Sequence, residues 1–321
     1  SVIVTTYNMM ASILRAMGDS RTPLYAMLVA SVVNIGLDLL FVMGFHWGIP
    51  GAAAATVIAQ GCSCLFCLAV LRRMSVLRMT KTDWHPDGCL CRRLFQLGLP
   101  MAFQNTVIAV GGLVIQFVIN GFGFLFVAGF TATNKLYGLL ELAATSFGFS
   151  MATYAGQNLG AKKYRRICEG MRSALKMAVA TSVVISAAMI AFGKPVLLLF
   201  ISGEPGEVAQ VLDIAYTYLF IMCCLLSVLY LLHLYRSALQ GMGDTVIPMV
   251  SGIAELTMRI GCALLLPIWL GQYGIYFAEI AAWAGAVVIL VTFYYIRIHH
   301  LLHGIPDKRI HVTHDGMVVD S

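Results

Sequence analysis

Apolar runs long enough to cross a bilayer recur along almost the whole chain, and they leave few folds open to it. In hydrocarbon every backbone N–H and C=O must find a partner inside its own segment or sheet, so only helices and closed barrels span. Runs of about 20 residues match a helix crossing about 30 Å of hydrocarbon. The sequence predicts spans at 24–45, 49–71, 96–120, 124–153, 170–192, 207–235, 246–270 and 274–296, with a short helical stub over 1–16. Charge supports the reading. Only 11% of the 321 residues are Asp, Glu, Lys or Arg, less than half of what a soluble domain carries. The fold class is therefore an all-α polytopic membrane protein.

The basic residues lie mostly in the connections and alternate in sign of occupancy. One set of connections and ends holds Arg15 and Arg21, then Arg72, Arg73, Arg78, Lys81, Arg92 and Arg93, then Lys162, Lys163, Arg165 and Arg166, then Arg236, then Arg297, Lys308 and Arg309. The other set holds His46 without Lys or Arg, the uncharged 121–123 and 271–273, and Lys194 with Glu204 and Glu207. Positive charge marks the cytoplasmic side, so the C-terminal tail is expected in the cytoplasm and the protein in the inner (plasma) membrane as a multi-pass chain. The net charge of +6 is spread over these loops, and no basic face with interleaved aromatics speaks for a nucleic-acid partner.

Cysteine does not build a framework. Cys62, Cys64, Cys67, Cys223, Cys224 and Cys262 fall inside apolar runs, where the thiol is a small hydrophobe. His85, Cys89 and Cys91 make one Cys-x-Cys without a second pair, and the tail histidines (His299, His300, His303, His311, His314) read as a solvated tail rather than a metal site. There is no phosphate loop, nucleophile elbow or zinc-protease helix. Neither a cofactor nor a resident metal is expected, and the chain is not expected to be an enzyme.

The chain repeats itself. Leu14-Arg-Ala-Met-Gly-Asp-Ser-Arg-Thr-Pro23 matches Leu239-Gln-Gly-Met-Gly-Asp-Thr-Val-Ile-Pro248 at an offset of 225, and Gly48-Ile49 pairs with Gly274-Ile275 at 226. Both Gly-Asp turns fall on the basic side, so the repeats are parallel, about an axis along the membrane normal, a design that transporters use. The chain opens at Ser1 inside a helix, and the repeat predicts three spans and most of a fourth ahead of it.

Polar side chains inside the spans are the candidates for function, because charge at the bilayer centre costs about 2.5–3.5 kcal/mol on insertion scales. Asn34 and Asp38, at i and i+4, share a helix face. Asp38 lies seven residues before Phe45 and Thr56 six after Pro50, so both sit roughly 10 Å below the same end of the helix pair. A carboxylate, an amide and a hydroxyl at one depth make an oxygen-rich cation site. Its repeat counterparts are Arg259, Ala263 and Ala282, so only the first copy carries it. Glu255 and Arg259 are spaced for an ion pair that Glu279 can join, in a structural or coupling role. Gln104, Asn105, Lys135, Tyr137 and Glu141 are candidates to line a substrate cleft, with Gln104 and Asn105 near the kink at Pro100.

Read together, L-R-A-M-G-D-S-R-T-P at 14–23, N-I-G-L-D at 34–38, W-G-I-P-G-A-A-A-A-T at 47–56, L-G-L-P-M-A-F-Q-N at 97–105, A-G-Q-N-L-G-A-K at 155–162 and Q-G-M-G-D-T at 240–245 resemble the multidrug and toxic-compound extrusion (MATE) transporters, in particular their DinF-like branch. The resemblance covers residues 1–297. It implies a two-lobe bundle of twelve helices, of which this chain carries the end of helix four through helix twelve. The domains expected on this basis are 1–73 (second half of the N-lobe), 74–95 (a cytoplasmic linker), 96–297 (the C-lobe) and 298–321 (the tail). It implies antiport of amphipathic, often cationic compounds against Na⁺ or H⁺ by alternating access, in a monomer. It also implies that Asn34, Asp38 and Thr56 belong to a polar site shared with a helix-one Asp outside this sequence. The acidic C-lobe site of the other bacterial branch has no counterpart, since 104–108 carries no acid. Two alternatives stay open: a flippase for lipid-linked glycans or polysaccharides on the same fold, and an intramembrane enzyme.

Overall fold

The computed structural model describes residues 2–74 and 87–304. Among these it contains ten α-helices, one π-helical segment and no strand: α1 (Val2–Ala16), α2 (Arg21–Asp38), the π segment (Leu39–Gly44), α3 (Gly48–Arg73), α4 (Gly88–Asn120), α5 (Phe124–Gly160), α6 (Tyr164–Leu198), α7 (Pro205–Cys224), α8 (Leu226–Gly241), α9 (Val246–Leu270) and α10 (Tyr273–His303). Seven of these helical stretches are long and apolar enough to cross a membrane. Large apolar side chains stand open on their outer faces, Trp269 at 87%, Phe117 at 81% and Phe124 at 79% exposure among them. In water such a surface would aggregate; in a bilayer it is what meets lipid. The chain is an integral membrane protein.

The described residues fall into two compact units divided between Cys91 and Arg92. In the first, α1, α2 and α3 pack around Tyr7, Ala11, Leu14, Ala26 and Cys67. Small residues at every fourth position (Gly51, Ala55, Ala59, Ser63, Cys67) give α3 its buried line, the close-approach chemistry of membrane helices. The second unit is built around α5 and α8, with Phe130 stacked on Tyr218 (centroids 4.5 Å apart) and Tyr218 on Tyr276 (5.2 Å).

The repeated Gly-Asp turns have one geometry. Gly18 (φ 89°) and Gly243 (φ 80°) both take the left-handed region that glycine enters without a Cβ penalty. In the first turn the Gly18 N–H donates to Arg15 O and the Asp19 N–H to Leu14 O (2.9 Å each); in the second, Gly243 donates to Gln240 O and Asp244 to Leu239 O (3.0 Å each). These are paired Schellman closures. Asp19 then opens α2: its Oδ1 accepts from the Arg21 and Thr22 N–H groups (3.0 Å each) and its Oδ2 from the Thr22 hydroxyl (2.6 Å).

The Thr22 hydroxyl and N–H hold the Asp19 carboxyl below its ordinary value. A carboxyl lowered by folding contributes stability above its unfolded pKa and loses it as pH falls through the folded one. Asp19→Ala is expected to cost about 1 kcal/mol at neutral pH, with the gap closing in acid. Thermal melts of the two proteins from neutral pH to pH 3 check it; a constant gap would remove the charge from the account.

Several boundaries differ from the sequence reading. The span 207–235 is two helices parted at Leu225, and α8 runs on to Gly241. Arg236 therefore sits inside a helix, 9% exposed, rather than in a basic connection. Arg297 likewise lies buried inside α10. The orientation argument loses both residues and rests on the other loops. Helix α4 begins at Gly88 within the stretch read as linker, because Asp87 Oδ1 caps it through the Cys89 N–H (2.8 Å). Helix α10 carries His299, His300 and His303, which the sequence reading placed in the tail. The rest of the linker, with His85, and the tail from 305 with His311 and His314 lie outside the described residues.

Candidate functional site

Helix α2 buries one line of small residues, Pro23, Ala26 and Ala30, at helical spacing. Asn34 and Asp38 continue that line toward the far end, each half-buried. The Asn34 Nδ2 and Asp38 Oδ1 atoms are shielded from solvent and hydrogen-bond to nothing among the described residues. Asp38 is also the last residue before the π segment, a local widening frequent at functional sites.

Two contacts fix the register of α2 against α3. The Ser63 hydroxyl donates to Ala26 O (3.0 Å), and a Cβ on Gly51 would stand 3.1 Å from Phe41 Cβ. Between these points Thr56 comes level with Asn34, and Asp38 lies about one turn nearer the 45–47 turn. The sequence places Thr56 level with Asp38; α3 begins at Gly48, two residues before the Pro50 from which that depth is counted, and the π segment adds to the shift by shortening the rise past Asp38. Thr56 is exposed, and its hydroxyl donates to Ala52 O of its own helix (3.0 Å). No hydrogen bond joins Thr56 to the Asn34 Nδ2 or Asp38 Oδ1 atoms. One residue missed by sequence reasoning shares their condition: the Oε1 of Gln60, one turn along α3 from Thr56, is shielded and unpaired. An uncharged Gln in an apolar run carries no periodic signal that separates it from packing.

The second unit answers polarity differently. Arg236 Nη2 donates to Glu255 Oε2 (2.7 Å), and Arg259 Nη2 donates both to Glu255 Oε1 (3.1 Å) and to Glu279 Oε2 (2.7 Å). Two guanidiniums and two carboxylates from α8, α9 and α10 thus form one buried chain. The sequence singled out three of its four members and missed Arg236, which it had assigned to a loop. Arg259 stands at the repeat position of Asn34. The four charges cancel pairwise, as buried charges must.

The proposed cleft residues scatter. Gln104 is 2% exposed and its Oε1 accepts from Gln240 Nε2 (3.2 Å), so it is buried among helices rather than open to a cleft. Asn105 and Lys135 are exposed. The Tyr137 ring stacks on Trp283, centroids 5.8 Å apart. Glu141, 38% exposed, lies 3.6 Å from His233 Nε2. Among the described residues no cluster of three or more His, Cys, Asp or Glu could hold a metal.

Comparison with known proteins adds to this geometry. A model of the MatE family matches residues 100–265. Over 278 residues the chain is 33% identical to a probable multidrug resistance protein, YpnP, of Bacillus subtilis, an alignment covering 84% of this chain and 59% of that protein. Its fold is similar to that of a MATE protein solved in a bent conformation (TM-score 0.84, 21% identity, 94% of this chain and 67% of the other). It is equally similar to that of a MOP superfamily transporter from Pyrococcus furiosus (TM-score 0.86, 22% identity, 92% and 66%). The chain spans about half the length of the curated relatives it matches, 43% to 59% for the first three.

Proposed function

The chain belongs to the MatE family, and from that premise we propose that it is part of an antiporter that exports amphipathic, often cationic, compounds against Na⁺ or H⁺ by alternating access. The single observation that carries the coupling role is the shielded, unpaired Oδ1 of Asp38 beside the unpaired amide of Asn34. A buried acceptor without a partner costs about 1–3 kcal/mol, more when charged. A cation or proton at Asp38 removes that cost. Loading therefore favours whichever arrangement of the protein shields the site, and unloading favours the one that wets it. A ligand shifts an equilibrium only by its differential affinity for the two states, and a carboxylate that alternates between dry and wet surroundings supplies one. Thr56 and the Asn34 amide supply hard oxygen ligands for Na⁺; for a proton Asp38 suffices.

On this reading the substrates are small organic molecules, the C-terminus is cytoplasmic, and the protein works as a monomer in the plasma membrane. The flippase alternative has weaker support. An anionic headgroup needs several free cationic side chains; of the two candidates, Arg259 is engaged by Glu255 and Glu279, which leaves Lys135 alone. The intramembrane-enzyme alternative would rest on one His–carboxylate contact, Glu141 with His233 (3.6 Å).

The test is efflux of a cationic dye from vesicles holding the intact protein, under separate Na⁺ and H⁺ gradients. Asp38→Asn is expected to abolish gradient-driven efflux while the protein still inserts and melts normally. Undiminished efflux by that variant would make the Asn34–Asp38 pair a helix tie and no more.

A further inference from the structure

Helix α10 is 31 residues long, about 46 Å at the α-helical rise, so it outruns about 30 Å of hydrocarbon by roughly ten residues. Its end carries His299, His300 and His303 and closes at Gly304, whose N–H donates to His300 O. We propose that His299 and His303 form a binding site for a divalent transition-metal ion, Cu²⁺ before Ni²⁺ or Zn²⁺, at the water-facing end of α10. The inference stands apart from the coupling role given to Asp38.

The helix itself is the first argument. In an irregular tail these histidines would be unrelated side chains. In α10, His299 and His303 stand at i and i+4 and share a face, the spacing at which two histidines of one helix hold zinc in metalloproteases. Both residues are exposed, and their ring centroids are 4.3 Å apart. His300 is turned by about 100° from His299, and its ring centroid stands 6.4 Å away.

Distance is the second argument, and it selects the metal. A ligating ring nitrogen lies about 2.0–2.1 Å from its ion, which puts the ring centroid about 3.2 Å from it. Two rings that meet at about 90° then have centroids roughly 4.5 Å apart, and at the tetrahedral angle roughly 5.2 Å. The observed 4.3 Å lies next to the first value. The right angle suits tetragonal Cu²⁺ and Ni²⁺, the wider one Zn²⁺, and Cu²⁺ also heads the general order of affinity.

The surroundings are the third. Among the described residues the imidazole that meets a carboxylate is His233, and neither His299 nor His303 does. Beyond Glu279, α10 contains no Asp or Glu, so no acid of its own last turns competes for the pair. The terminal carbonyls give this end of the helix a partial negative charge that favours a cation. Two protein ligands leave the remaining positions to water, so the ion exchanges with solution and is not a closed structural centre.

The experiment titrates Cu²⁺, Ni²⁺ and Zn²⁺ into the intact protein, purified with a tag that contains no histidine, by calorimetry, and follows Cu²⁺ by electron paramagnetic resonance. The unmodified protein is expected to bind Cu²⁺ at micromolar concentrations, more tightly than the other two ions, with the spectral splitting of two imidazole nitrogens. His299→Ala and His303→Ala are each expected to weaken Cu²⁺ binding at least about tenfold, because a chelate becomes a single ligand, with the melting temperature unchanged. His300→Ala, and His311→Ala combined with His314→Ala, are expected to bind as the unmodified protein does. Cu²⁺ binding that survives His299→Ala and His303→Ala, or that is lost in either of the other variants, would overturn the site. So would failure of the unmodified protein to bind Cu²⁺ at micromolar concentrations. Tighter binding of Zn²⁺ than of Cu²⁺ would overturn the choice of metal.

Discussion

Arg259→Met is expected to destabilise the second unit by about 3–5 kcal/mol, the cost of breaking a buried ion pair by removing one partner. Its Nη2 is shared between Glu255 Oε1 and Glu279 Oε2. Removing it strands Glu279 outright and leaves Glu255 with Arg236 alone. The side chains of Glu255 and Glu279 are 6% and 16% exposed, so water cannot replace the guanidinium. The loss is measurable as a fall in melting temperature or denaturant midpoint in detergent. The informative control adds Glu255→Gln and Glu279→Gln to Arg259→Met. With the charges gone, much of the loss is expected to return, because burying neutral groups costs less than burying unpaired charge. Strong non-additivity is what a single network predicts. A loss under 1 kcal/mol in the single variant would mean the network does not hold α8, α9 and α10 together. The comparison with the first copy sharpens the point. At the position where α2 presents Asn34 with an unpaired atom, α9 presents a tethered cation.

Gly241→Val is expected to be the most disruptive substitution in the helix packing. A Cβ at Gly241 would stand 2.8 Å from Ala152 Cα and also run into the Ala152 carbonyl oxygen. Those atoms are backbone, so relief requires α5 and α8 to separate. Overpacking usually costs 1–3 kcal/mol, occasionally more, and here the two helices at the centre of the second unit must move apart. About one turn away along both helices the crossing is no looser, since a Cβ on Gly148 would meet Ser237 Oγ at 2.7 Å. The expected result is a large drop in the yield of monodisperse protein and a melting temperature at least several degrees lower. Gly112→Ala, with nothing within 4 Å of the added carbon, is the control and is expected to behave as the unmodified protein. Similar yields for both would show that the crossing relaxes more easily than its backbone contact implies.

Much of the architecture was legible in the chain because membrane folding is governed by length and polarity. The apolar runs, the repeated Gly-Asp turns and the i, i+4 spacing of Glu255 and Arg259 each follow from a rule that acts locally. What escaped depends on tertiary context. Leu225 breaks a helix with neither proline nor glycine to mark it. Arg236 looks like a loop residue until Glu255, 19 positions away in sequence, is seen to neutralise it in the core. Gln104 reads equally well as a cavity residue or as a partner for Gln240, and only packing decides. Within the candidate cation site, Asn34 and Asp38 announce themselves by shared face and by charge inside an apolar run. Thr56 lies on the facing helix but level with Asn34 rather than with Asp38, and its hydroxyl donates to Ala52 O of its own helix. Gln60, whose shielded Oε1 has no partner among the described residues, gives no signal in the sequence, where an uncharged Gln in an apolar run looks like packing.

The π segment at Leu39–Gly44 also acts on how the chain is phased. Its backbone bonds run long, with Phe45 N–H on Leu40 O and Trp47 N–H on Phe41 O, so each turn holds more residues than an α-helix allows. A wheel drawn at 100° per residue is therefore out by roughly one residue's angle by the time it reaches Phe45. The aromatic knot of Phe41, Phe45 and Trp47, centroids 5.2 to 6.0 Å apart, stands on the side of the bundle that this extra angle selects. The segment works as a vernier: one peptide more or less in it leaves Asn34 and Asp38 where they are and swings the knot to another face.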